Sequence, residues 1–240
     1  MKLAAMQPYF FPYLGYFSLI ECVDHFVFFD TVQFVRKSWM SRNRILKPSL
    51  EDFQYIRAIL ASPDYRCSIA ECRMAEGQEW QIQLLRQLEH YKKTAPYYSA
   101  TIDLVRDIFE NSPDFLSHFN AYSVQKICNY LGIQKEFSLF SEVRESYPEA
   151  SHPGEWGLII SKVYGAEYYV NAPGGEAFYR PEEFRQEGIH LGFIHPSLKE
   201  YRQGFSKTFL PGLSILDVLM YNDVESTNQM IRSYTIDWKN

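Results

Sequence analysis

Between residues 31 and 50 the chain carries Arg36, Lys37, Arg42, Arg44 and Lys47 and not one acid, interrupted by Phe34, Trp39 and Asn43. Guanidinium forks grip phosphate or carboxylate through paired N–H groups, and a tryptophan beside them offers a stacking face. Such a charge run is ordinarily a solvated surface. Its position argues for more, because it leaves a β-rich run, His25-Phe26-Val27-Phe28-Phe29-Asp30. Upstream lies another apolar run, Leu3 to Met6, then an aromatic turn with two prolines and Gly15, then a segment from Ser18 to Val23 that suits a helix. Strand, helix and strand make a βαβ unit, whose ligands lie beyond the carboxyl ends of its strands. Gln7, Tyr9, Asp30 and Gln33 fall there, with the rings of Tyr13 and Tyr16 close behind.

Two histidines could move a proton. His152 lies in the turn Ser151-His152-Pro153-Gly154 between strand and helix, and His195 at the end of a strand over 189–194; neither has an acidic partner at fixed spacing. Asp30 joins them as a catalytic candidate. Asn171-Ala172-Pro173-Gly174-Gly175 follows a third strand, where paired glycines could turn backbone N–H groups towards an anion, although a plain turn explains them as well. Tyr201, Gln203, Lys207 and Thr208 form a polar segment before the last apolar helix.

Composition bounds the answer. The 240 residues are 46% hydrophobic and 22% charged, as in ordinary globular chains, but 17% aromatic, which is high. Many of those rings must be core. A net charge of −5 argues against nucleic-acid binding, which usually needs a basic face. The four cysteines, Cys22, Cys67, Cys72 and Cys128, contain no C-x-x-C pair, and no leader or membrane-length apolar run is visible. A cytoplasmic protein with buried free thiols is expected.

Along the chain, residues 53–60 read as a strand broken at Ser62-Pro63-Asp64, and Cys67 to Met74 as another. From Trp80 the period becomes helical, and three helices are expected between about 80 and 131. The α/β pattern then resumes: a strand at 136–140, a helix at 155–164, a strand at 168–170, a short helix from Pro181, a strand at 189–194 and a helix holding Leu213 to Met220. The expected fold is one α/β domain over 1–240. It has a mostly parallel, nucleotidyltransferase-like sheet flanked by helices, and a helical block in mid-chain.

Gln7-Pro8-Tyr9-Phe10-Phe11-Pro12-Tyr13-Leu14-Gly15-Tyr16, Phe29-Asp30-Thr31-Val32-Gln33-Phe34 and Trp39-Met40-Ser41-Arg42-Asn43-Arg44-Ile45 resemble the WbqC-like protein family. So do Lys93 to Tyr98, Tyr169 to Gly175, Gly188 to Leu191 and Leu213 to Met220, so the resemblance covers nearly the whole chain. It implies a context of bacterial surface-polysaccharide (O-antigen) biosynthesis, and a histidine where His152 stands. A looser similarity links the opening to nucleotidyltransferases and class I synthetases, with Tyr13-Leu14-Gly15-Tyr16 in place of H-x-G-H. Neutral phenols supply no cation, so a nucleotide pocket is implied more than adenylyl transfer.

No P-loop, G-x-S-x-G, G-x-G-x-x-G, H-E-x-x-H or D-x-D is present, so no metal and no cofactor is expected. The leading expectation is a transferase acting on a nucleotide-linked sugar, by acyl or aminoacyl transfer to a sugar amine from a small-molecule or carrier-bound donor. Arg36, Lys37, Arg42 and Arg44 would hold the diphosphate, and Trp39, Tyr9, Tyr13 and Tyr16 would meet base or sugar. Gln7, Asp30, Gln33 and Asn43 would orient hydroxyls. The competing expectation is a binding module without turnover.

Overall fold

The computed structural model describes residues 1–49, 52–61, 66–143, 146–205 and 208–239. The expected break at Ser62-Pro63-Asp64 and the polar Lys207 lie outside the described residues. Six strands form the main sheet: β1 (Lys2–Met6), β2 (His25–Phe28), β5 (Glu136–Leu139), β6 (Tyr168–Asn171), β7 (His190–Pro196) and β8 (Tyr234–Lys239). Their order is β5-β2-β1-β6-β7-β8, with every pairing parallel except β7 with β8. A second sheet is the antiparallel hairpin of β3 (Arg42–Leu46) and β4 (Phe53–Arg57).

Side-chain alternation explains why the sheet is covered on both faces. Leu3, Ala5, Val27, Tyr169, Leu191 and Phe193 point to one face and pack on α5 (Glu155–Val163) and α6 (Pro181–Gln186). Ala4, Phe26, Phe28, Val170 and Ile194 point to the other, under α1 (Leu14–Glu21), α7 (Ile215–Tyr221) and α8 (Val224–Ile231). The expected helical block consists of α2 (Glu79–Leu88), α3 (Tyr98–Glu110) and α4 (Leu116–Tyr130), with a short 3-10 stretch, Glu89–Lys93, after α2. Its apolar side chains join the same core as α1, so the block extends that side of the sheet.

Chain order places the site. From β1 the chain moves outward to β2 and β5, then returns to the other flank of β1 with β6. The direction of winding therefore reverses between β1 and β6, and the loops after these two strands part to leave a crevice.

Three expectations change. Residues 42–46 are a strand inside what reads as a basic loop, because Arg42 and Arg44 face outward while Ile45 and Leu46 are buried. Cys67 to Met74 is no strand: Ser68 and Glu71 form a reciprocal cap, with Glu71 Oε2 2.8 Å from both Ser68 N and Oγ, and this winds Ile69–Glu71 into a 3-10 turn. Beyond α7 the chain adds α8 and the antiparallel edge strand β8.

Candidate functional site

The turn leaving β1 divides its rings between core and crevice. Phe10 and Phe11 are fully buried and pack edge-on against each other, while Phe119 stacks on Phe10 and meets Phe11 edge-on. Burial contributes about 1.5–3 kcal/mol for each such ring. Phe11 holds a left-handed backbone, φ 41°, which is unfavourable for a bulky residue. Its carbonyl is fixed by two donors, Asn43 Nδ2 at 2.8 Å and Ser214 Oγ at 2.7 Å. Asn43 Nδ2 also reaches Phe10 O at 3.1 Å, and Asn120 Nδ2 spans Pro8 O and Met40 O at 2.8 Å each. Buried amides thus hold the turn so that Tyr9 and Tyr13 face outward.

Two adjoining cavities open at this point. One, of about 420 Å3, lies between the ends of β1 and β6 and is bounded by Gln7, Tyr9, Trp156, Asn171, Gly174 and Tyr179. The other, of about 370 Å3, runs on past Tyr9 and Tyr13 to Trp39, Asn43, Arg44 and Gly212. Met6, Tyr9, Ala172 and Gly174 border both, so they form one crevice. Arg44 is its cation. Its Nη2 donates to Gly212 O at 3.0 Å, and its guanidinium carbon lies 5.2 Å from the Trp39 ring centre and 5.0 Å from that of Phe53.

The crevice phenols are neutral donors. Burial pushes Tyr9, Tyr13 and Tyr179 above the ordinary tyrosine value, and Tyr9 is raised further by Tyr13. Tyr179 OH is hydrogen-bonded to Asn171 Nδ2, which also donates to Tyr169 OH at 3.1 Å. Gly174 is open to solvent, whereas the Gly175 N–H already donates to Ala172 O at 3.2 Å.

The structure thus gathers Gln7, Tyr9, Tyr13, Trp39, Asn43, Arg44, Asn171, Gly174 and Gly175 about one crevice. His152 stands beside it, next to the lining residue Pro153, and has a partner the sequence hid: Nε2 lies 2.9 Å from Glu183 Oε2. A carboxylate oxygen only accepts, so Nε2 carries the proton and Nδ1 is the nitrogen free to take one. Spacing could not disclose Glu183. It sits 31 residues away on α6.

Other candidates fall elsewhere. Tyr16 is buried, its OH donating to Gln7 O at 2.9 Å, and it touches the crevice from behind, through that carbonyl and the Tyr9 ring, whose centre is 5.5 Å from its own. Gly15 is occupied by its neighbour: a Cβ there would meet the Tyr13 ring at 2.5 Å. Asp30 is fully buried and ties β2 to the turn after β5, accepting from Ser141 N at 2.9 Å and Oγ at 2.7 Å. Gln33 is exposed and bridges to Ser68. His195 is exposed on β7, opposite Thr235. Tyr201 and Gln203 turn inward to Asp217, at 2.6 and 3.3 Å. Arg36, Lys37 and Arg42 border a different cavity from Arg44.

Among the described residues no group of three or more His, Cys, Asp or Glu could hold a metal, and no helix is long and apolar enough to cross a membrane. Compared with known proteins, residues 7–229 match the WbqC-like protein family. Uncharacterized protein Rv1507c of Mycobacterium tuberculosis is 26% identical over 232 residues, covering 95% of this chain and 97% of that protein. No solved structure matches.

Proposed function

Because the chain belongs to the WbqC-like protein family, we propose that the crevice between β1 and β6 takes a nucleotide-linked sugar in bacterial surface-polysaccharide biosynthesis. The observation that carries this is the crevice itself: ligands of doubly wound sheets lie where the winding reverses, and here that place is lined by aromatic rings and the Arg44 guanidinium. Trp39, Tyr9 and Tyr13 offer faces for base or sugar, and Arg44 a charge for phosphate. Gln7, Asn171 and Tyr179 supply neutral donors and acceptors for hydroxyls. The same strand order supports reading the sheet as nucleotidyltransferase-like.

In the enzyme reading, the reaction is acyl or aminoacyl transfer to a sugar amine. The amine attacks the donor's acyl carbon, and the new C–N bond replaces the bond to the donor's carrier group. His152 Nδ1 takes the amine proton and passes it to that departing group while Glu183 holds the ring. The family context supports this choice of reaction. A second reading, binding without turnover, is favoured by the buried and fully used Tyr16, which leaves the helix start with no charged side chain for a transferred phosphate. The test is thermal stabilisation by nucleotide-sugars in the wild type and in crevice variants, followed by product assay of His152→Ala. Loss of product with retained affinity supports the enzyme, and affinity without product in the wild type supports the module.

A further inference from the structure

At the end of the β3/β4 hairpin away from its connecting turn, Arg42 stands directly opposite Arg57. Like charges opposed across a strand pair are destabilising. Tyr55, on the same hairpin face, lies beneath both, its ring centre 4.2 Å from the Arg42 guanidinium carbon and 5.8 Å from that of Arg57. The ring therefore holds two repelling cations on one wall. That wall closes a cavity of about 300 Å3 whose border also includes Arg36, Lys37 and Ser41. None of the described residues lining it carries a carboxylate. Among the described residues, Lys37, Arg42 and Arg57 have no acid within ion-pairing distance.

The backbone adds a second sign. Lys37 holds a left-handed conformation, φ 57°, which a lysine rarely adopts and which must be imposed by its surroundings. Three cations, Lys37, Arg42 and Arg57, thus line one cavity without a counter-charge among the described residues, two of them fixed by a shared ring. None of the described residues lining this cavity borders the crevice.

We propose that this chamber is an anion site for a phosphate group, free or as a phosphomonoester, separate from the crevice. Arg42 and Arg57 grip it with their N–H groups, and Lys37 completes the charge. Arg57 is the residue that no basic run in the sequence pointed to. The inference stands on the chamber alone and survives if the crevice binds no nucleotide-sugar.

The test is isothermal titration of the full chain at low salt with inorganic phosphate and, in parallel, glucose 1-phosphate. One saturable site is expected. Arg57→Gln and Arg42→Gln should each weaken it about tenfold or more, as loss of a charged hydrogen-bond donor does. Arg44→Gln, in the crevice, and Arg106→Gln, an exposed cation on α3, should leave it within about twofold, since neither borders the chamber. Tighter binding of glucose 1-phosphate would identify an esterified ligand and equal binding a free phosphate. Absence of saturable binding, or equal loss with Arg106→Gln, would overturn the proposal. So would equal loss with Arg44→Gln, which would make the two cavities one site. Arg57 is exposed, so its variant keeps the fold intact for this comparison.

Discussion

His152 and Glu183 are joined by a 2.9 Å contact between Nε2 and Oε2, and the other carboxylate oxygen of Glu183 accepts from Arg180 Nη1 at 3.1 Å. The ring is therefore oriented by an acid that is itself anchored. The glycine before α5 lets this corner close: a Cβ on Gly154 would meet Phe178 O at 2.0 Å. The pair is thus held where the chain from Phe178 to α6 passes the start of α5.

If the crevice supports turnover, His152→Ala should lower kcat by about 10^2 to 10^4, the usual contribution of a positioned general base, with ligand affinity nearly unchanged. Glu183→Gln should lower kcat by less and should not abolish it. Steady-state kinetics with parallel binding measurements decide this. Full activity in His152→Ala removes the histidine from the mechanism.

Asp217 gives a pH dependence with a definite sign. Its carboxyl is fully buried and accepts from Tyr91 OH at 2.5 Å, Tyr201 OH at 2.6 Å and Gln203 Nε2 at 3.3 Å. Burial pushes it up to about 6, although those three donors act in the opposite direction. The folded protein therefore keeps a proton that the unfolded chain has already released, and this stabilisation is complete below about pH 4 and lost as pH rises through about 6. Asp217→Asn should remove that component. Urea midpoints of wild type and variant between pH 4 and 7 should show their difference changing across this window. A constant difference would mean that Asp217 titrates normally.

Much of this architecture was legible, and the exceptions have causes. Helical spacing from Trp80 to Leu131, the βαβ opening and the strand at 168–170 follow from local periodicity, which neighbouring segments reinforce. β3 was not, because its outward residues are Arg42 and Arg44, and alternating arginines resemble a solvated loop until Arg57 and Tyr55 are seen opposite. The aromatic turn shows a different limit. Phe10, Phe11 and Tyr16 are core while Tyr9 and Tyr13 line the crevice, and distant donors, the amides of Asn43 and Asn120 and the Ser214 hydroxyl, hold the turn that sorts them. Glu183 and Asp217 were invisible as partners because tertiary contacts leave no fixed spacing.

Those amides make a stability prediction. Asn120→Ala leaves two buried carbonyls, Pro8 O and Met40 O, without this donor. At about 1–3 kcal/mol for each of the two unsatisfied groups, denaturant unfolding should show a loss of roughly 2–6 kcal/mol. A loss under about 1 kcal/mol would mean that the turn is held mainly by packing.

Thiol chemistry should be nearly silent. Burial pushes Cys22, Cys72 and Cys128 up to about 12, and Cys72 is raised further by Cys67, whose sulfur lies 3.2 Å away. Since the thiolate is the reactive form, alkylation at pH 8 in native buffer should label Cys67 first and the other three only after denaturation. Rapid labelling of Cys22 or Cys128 in the native protein would contradict their burial.

The most direct test of the crevice is thermal shift against a panel of nucleotide-sugars, run on the wild type, Tyr9→Ala, Arg44→Gln and Arg57→Gln, each compared with its own ligand-free form. One ligand at about 100 times its dissociation constant should stabilise the wild type by roughly 2.7 kcal/mol. That stabilisation should vanish in Tyr9→Ala and Arg44→Gln and persist in Arg57→Gln. A panel without any shift, or a shift that survives both crevice variants, would contradict a nucleotide-sugar site between β1 and β6.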